Sequence, residues 1–240
     1  MIASVRESFN KNYSNERYQK YQSEIWNFTN GEADFRICET PLFLDEELSQ
    51  KLQLAANEIA SYLLTDEFRV KSQVAIPANL SVPNEDSHPL FLQIDFAICA
   101  DKNGKPIPKL IELQGFPSLY AFQVMLDDIN RKYYDIPSGF TPYFNGFTKD
   151  SYLDLFKSAV VGNHSPENVV LLEIEPWNQK TRIDFTLTKE YLGIEVVCIS
   201  EVIQRGEKLF YKKNGTEIPI RRIYNRIIFD ELLRKGIKSG

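Results

Sequence analysis

Asp95, Glu112 and Gln114 are the residues whose types and spacing are suited to chemistry. Glu112 and Gln114 lie two apart at the end of an apolar run that begins at Leu110. Alternate residues of a strand share a face, so a carboxylate and an amide oxygen point the same way there. Such a pair can share a hard cation such as Mg²⁺. Asp95 sits in the preceding apolar run, 90–100, and the two runs flank the turn Asp101-Lys102-Asn103-Gly104. Gly115 and Pro117 end the second strand, and Ser118 is placed to cap the helix that follows. An Asp in an apolar strand and a Glu-x-Gln at a strand end also arise as satisfied or water-facing groups, so the residues alone leave both readings open.

The elements that must position these groups follow from periodicity. Tyr18, Tyr21, Ile25 and Phe28 are spaced as one face of a helix. Leu48, Leu52, Ala55, Ile59, Tyr62 and Leu63 form a second helical stripe, started by Asp45 or Ser49, and read as a plain core-facing face. Residues 77–89 are a proline-punctuated loop, 119–130 a helix, and 135–150, rich in Pro, Gly and aromatics, a boundary. The second half changes rhythm. A helix over 150–161 precedes a short apolar run at 168–174 of the kind buried in a parallel sheet. A helix over 181–192 ends at Gly193, and a second buried strand follows at 194–199. Asn214-Gly215 marks a hairpin between 208–212 and 217–220. A strand at 222–224 and a helix over 227–235 close the pattern. Strand, helix, strand with short connections is a βαβ unit. The predicted organisation is α/β, with a helical region and a carboxylate-bearing hairpin over 1–149 and a parallel-sheet domain over 150–240.

Two segments carry a family resemblance. Residues 90–119, with Asp95, Glu112-Leu113-Gln114 and Pro117-Ser118, resemble the circularly permuted ATP-grasp ligases, the branch of eukaryotic-type glutathione synthetase and glutathionylspermidine synthase. In that branch an Asp precedes a hairpin, and the next strand ends in Glu-x-Asn before a Ser- or Pro-containing turn. The departure is Gln114 where Asn is usual; it keeps the carbonyl ligand but adds a methylene. The runs at 169–174 and 194–199, the hairpin at 209–218 and Tyr224-Asn225-Arg226 are similar to the Rossmann-like substrate domain of the same branch, in the same order. The resemblance implies ATP and Mg²⁺ as cofactors. It implies phosphorylation of a substrate carboxylate and attack on the acyl phosphate by an amine. Glu112 and Gln114 would then hold metal, with Asp95 supporting metal or substrate. Ser118 would offer its hydroxyl or N–H at a helix start, and Tyr224 and Arg226 would meet the substrate. Arg226 suits an acidic group, since a guanidinium can grip a carboxylate with two parallel hydrogen bonds; an ion pair with Asp230, four residues on, is the plainer alternative. In these ligases the phosphate-holding basic residues and the glycine-rich lid follow the Tyr-x-Arg strand, about where this sequence reaches Gly240, so the 240 residues read as the N-terminal portion of such a protein. The rival expectation is a non-catalytic α/β binding module with a degenerate metal site.

Composition bounds the rest. With 43% hydrophobic and 25% charged residues the chain has the make-up of a globular protein with a sizeable core. A net charge of −5 gives no global attraction to nucleic acid or to an anionic membrane, and neither is an expected partner. No run approaches the ~20 apolar residues of a membrane span. The polar N-terminus lacks a signal-peptide apolar core. Three scattered cysteines, Cys38, Cys99 and Cys198, form no C-x-x-C pair and suit a cytoplasmic setting. With only two histidines, His88 and His164, a zinc site built on histidine is not expected. Neither a P-loop nor a G-x-S-x-G elbow occurs. Glu173, Glu175 and Glu195 read as strand-end or exposed carboxylates.

Overall fold

The computed structural model describes residues 2–29, 31, 33, 35–77, 80 and 82–236. Contacts divide the chain into two compact units, 1–10 with 42–117, and 11–41 with 118–240. The aromatic-rich segment 135–150, which the sequence marks as a boundary, lies inside the second unit. Residues 78, 79 and 81 of the expected loop lie outside the described residues.

In the first unit, α1 (Ala3–Asn12) begins the chain. Phe9 of this helix packs on Phe43 with ring centroids 5.9 Å apart. Asp45 caps α3 (Glu46–Leu63) by accepting from Leu48 N at 2.8 Å, the choice the sequence offers alongside Ser49. The stripe on α3 is only partly covered: Leu48 is buried, while Tyr62 is exposed. Thr65 caps a shorter helix, α4 (Asp66–Ser72). An antiparallel hairpin follows, β1 (Gln93–Ala100) with β2 (Pro106–Gln114). Asp101 N donates to Lys105 O, so hydrogen-bonded pairs alternate from there along the ladder. Pro106 and Pro108 therefore fall on the non-hydrogen-bonded pairs with Ala100 and Ile98, where a missing N–H costs the ladder nothing. The register shifts between Asp95 and Phe96, leaving Ile111 as an extra residue in β2.

The second unit is built on a three-stranded parallel sheet in the order β4-β3-β8. Its strands are β3 (Val169–Glu173), β4 (Glu195–Cys198) and β8 (Arg222–Asn225). Helix α7 (Arg182–Leu192) joins β3 to β4 and stops at Gly193, whose φ of 74° is the left-handed cap a glycine supplies without strain. Between β4 and β8 the chain makes an antiparallel meander, β5 (Ile203–Arg205), β6 (Lys208–Lys213) and β7 (Thr216–Ile220). Asn214 and Gly215 both take positive φ, as an Asn-Gly hairpin turn requires. One face of the parallel sheet, with Val170, Leu172 and Val197, packs against Tyr211 and Ile220 of the meander and Leu232 of α8 (Phe229–Arg234). The other face carries Leu171 and Tyr224 and meets the helical side of the unit, where Tyr224 lies edge-on to Phe156 of α6 (Lys149–Val161). Helix α5 (Tyr120–Tyr133) packs along α7. Helix α2 (Asn15–Phe28) packs on α5 through Tyr21, which contacts Tyr133 and Tyr134. Tyr18, Tyr21 and Ile25 of the predicted stripe are buried, but Phe28 at the helix end is exposed. Among the described residues the fold is thus mixed α/β, with one parallel and two small antiparallel sheets. No helix among the described residues is long and apolar enough to cross a membrane.

Candidate functional site

The hairpin register brings the first group of predicted residues together. Asp95 lies directly across from Glu112, and Gln93 directly across from Gln114. Opposite residues of an antiparallel pair share a face, so two carboxylates and two amides converge on one side of the hairpin. The Gln114 amide donates to Glu112 Oε1, which fixes both side chains on that side. Asp95 and Glu112 are both exposed, and no ion pair among the described residues involves either. Like charges directly opposite one another destabilise a strand pair. Gln93 adds a buried amide oxygen with no hydrogen-bond partner among the described residues. No group of three or more His, Cys, Asp or Glu side chains converges among the described residues. The donor set is therefore two carboxylates plus amide oxygens, which suits a hard cation that keeps several waters. Gln93 carries a signal that was available in the sequence, since it is two residues before Asp95 and thus on the same strand face.

The second group of predicted residues lies in the other unit, at the carboxyl end of the parallel sheet. Cys198 pairs with Glu173, and Arg226 follows the last paired residue of β8, with its N–H donating to Leu172 O at 2.9 Å. A thiol, a carboxylate and a guanidinium thus stand side by side on three neighbouring strand ends. Arg226 is 3% exposed and lies over the Phe185 ring at 5.4 Å. The carboxylates that act on it are Asp184 and Glu173. Asp230, the local partner suggested by spacing, lies in the first turn of α8 and does not figure among them. Burial lowers the guanidinium from its usual range, against the pull of Asp184. Tyr224 is buried beside it, with its hydroxyl pushed up by desolvation. Glu173, 5% exposed, accepts from Ile174 N at 2.8 Å, and burial pushes its carboxyl up to about 7.

Ser118 is not the cap of α5. The cap position is held by Leu119 in a left-handed conformation, with φ 59° and no side-chain cap of its own. The carboxylate of Asp184, projecting from α7, accepts from Ala121 N and Phe122 N at 2.9 Å each and does the capping across 62 and 63 residues of sequence. Asp184 is fully buried, and burial raises its carboxyl despite these N–H groups and Arg226. The helix start that the sequence offers to an anion is already occupied by one. Asp184 left no local signal, because a cap supplied from another helix has no fixed spacing.

No family model matches the chain, and no curated protein matches it.

Proposed function

We propose that this chain supplies the metal-carboxylate hairpin and the substrate portion of an ATP- and Mg²⁺-dependent carboxylate–amine ligase of the circularly permuted ATP-grasp kind, with the parallel-sheet unit as its Rossmann-like substrate portion. The observation that carries the reading is the pairing of Asp95 with Glu112, flanked in register by Gln93 and Gln114, on one exposed face of the hairpin. Asp95 and Glu112 would hold the ion, and an amide oxygen of Gln114 would join them once its amide turns from the present N–H contact with Glu112. The ion would neutralise phosphate charge on the nucleotide. Arg226 at the carboxyl end of the sheet would face the acidic substrate, where ligands of open parallel sheets bind.

Metal binding by the whole chain is the direct test. Mn²⁺ titration read by water-proton relaxation, with Mg²⁺ competing, reports the site without requiring turnover. The Asp95→Asn/Glu112→Gln double variant should weaken Mn²⁺ binding by at least about tenfold, since it removes both charges from a hard-cation site. Equal affinity in the variant rejects the reading. The amide of Gln114 presenting nitrogen to Glu112 favours one second reading, a binding module whose metal site has lapsed; that reading expects no Mn²⁺ binding even in the unaltered chain.

A further inference from the structure

The first unit contains a cavity of about 600 Å³ that the hairpin chemistry does not use. That volume lies within the ordinary range for small-molecule sites. Its apolar floor comes from Leu63, Phe68, Ile76, Leu92 and Leu113. Leu92 and Leu113 alternate in sequence with Gln93, Glu112 and Gln114, so the cavity opens on the face of the hairpin opposite the paired carboxylates. Ile76 and Leu113 are more than a third exposed, which leaves apolar surface in water unless something covers it.

The rim is charged and lopsided. Glu85 and Asp86 line it, and neither has an ion-pair partner among the described residues. Arg69, the cation on the rim, is already held by Asp66 at 2.9 Å. His88 shares a hydrogen bond with the neighbouring Ser87 hydroxyl. The uncompensated charge facing the cavity mouth is therefore negative, above an apolar floor.

From this combination we infer that the cavity binds a small amphipathic amine, with its hydrocarbon body on the Leu92–Leu113 floor and its ammonium at Glu85 and Asp86. A neutral apolar molecule of the same shape satisfies the floor but leaves both carboxylates without a partner. An anionic one is repelled by them. The ligand chemistry is independent of whether the opposite face of the hairpin takes a metal.

Calorimetric titration of the full chain at pH 7.5 with n-butylamine, n-hexylamine and n-hexanol separates the two contributions. Hexylamine should bind about 15-fold more tightly than butylamine, the effect of two buried methylenes. It should bind about tenfold more tightly than hexanol, a factor within the range for two exposed ion pairs. In the Glu85→Gln/Asp86→Asn variant, hexylamine should fall to the level of hexanol while hexanol is unchanged. Ser72→Trp, which places an indole in the cavity wall, should abolish binding of both. Both acidic positions are exposed, so the double variant decides the matter even if Ser72→Trp disturbs folding. Equal binding of hexanol and hexylamine, a preference for amine that survives in the double variant, or no binding by either six-carbon probe each overturns the proposal.

Discussion

Replacing Glu173 by Gln should stabilise the protein at pH 8 and leave it unchanged at pH 4.5. Glu173 closes the central strand of the parallel sheet, is 5% exposed, and receives one hydrogen bond, from Ile174 N. Burial outweighs that N–H and the attraction of Arg226, with Glu231 adding to the upward push and Lys235 opposing it, so the carboxyl rises from 4.5 to about 7. A raised carboxyl means that, between those two values, the folded chain keeps a proton the unfolded chain has released. Its contribution is fully present below pH 4.5 and is lost as pH rises to about 7, with a slope of at most ~1.4 kcal/mol per pH unit. Across the window this amounts to about 3 kcal/mol. Gln keeps an acceptor for Ile174 N and nearly the same shape while removing the ionisation. Some of the gain is offset because Arg226 loses a neighbouring negative charge, so the expected stabilisation at pH 8 is about 1–3 kcal/mol. Urea unfolding followed by circular dichroism at half-unit steps from pH 4.5 to 8 measures it, and subtracting the two curves cancels every other titrating group common to both proteins. Parallel curves, or a variant less stable than the unaltered chain at pH 8, would show that Glu173 is not held in a desolvated site and would refute the reasoning.

Other substitutions probe the same structure. Arg226→Met should shift the Glu173 midpoint above its present value, because the guanidinium lowers it, and should cost about 3–5 kcal/mol by leaving Asp184 without its buried counter-charge; the pH series and the urea midpoint report the two effects separately. Asp184→Ala removes a charged acceptor from two buried N–H groups and should cost about 3–5 kcal/mol, while Asp184→Asn, which keeps an acceptor oxygen, should cost less; equal losses would mean the capping bonds contribute little. Gly215→Val, at a φ of 82°, should lower stability by about 1–2 kcal/mol in the same assay, since a branched side chain is strained in that conformation.

Much of the fold was legible because it is local. The hairpin turn at Asn214-Gly215, the stop of α7 at Gly193 and the buried run of β3 each follow from a few adjacent residues. So did the face shared by Glu112 and Gln114, which needs only the two-residue period of a strand. The direct opposition of Asp95 and Glu112 was harder to read, because the extra residue Ile111 shifts the register by one, and a miscount there would send one carboxylate to the other face. The exposure of Tyr62 on α3 also escaped the pattern: a helical stripe says which residues share a face but not how far along that face a partner extends. Glu173 read as a strand-end carboxylate, and it is one; its burial and the charges of Arg226, Glu231 and Lys235 that act on it come from packing that its own segment does not encode.

Asp184 bears directly on the proposed function. Open parallel sheets usually offer anions the free N–H groups of a helix start near the strand ends. Here α5 begins with Leu119 in a left-handed turn, and its leading N–H groups are already spent on a buried carboxylate from α7. A phosphate brought to that helix start would meet a negative charge in place of open donors, so α5 is a poor phosphate cradle. Arg226, the cation that acts on that carboxylate, is partly balanced by it and by Glu173. Under the proposed function, a ligand carboxylate would be gripped best when Glu173 carries its proton, so affinity for such an acid would fall as pH rises through about 7. Titrating the chain with a small dicarboxylate such as succinate at pH 6 and pH 8 tests this: affinity that is equal at the two pH values, or higher at pH 8, would show that Arg226 does not share its charge with Glu173 in the way the strand-end pairing demands.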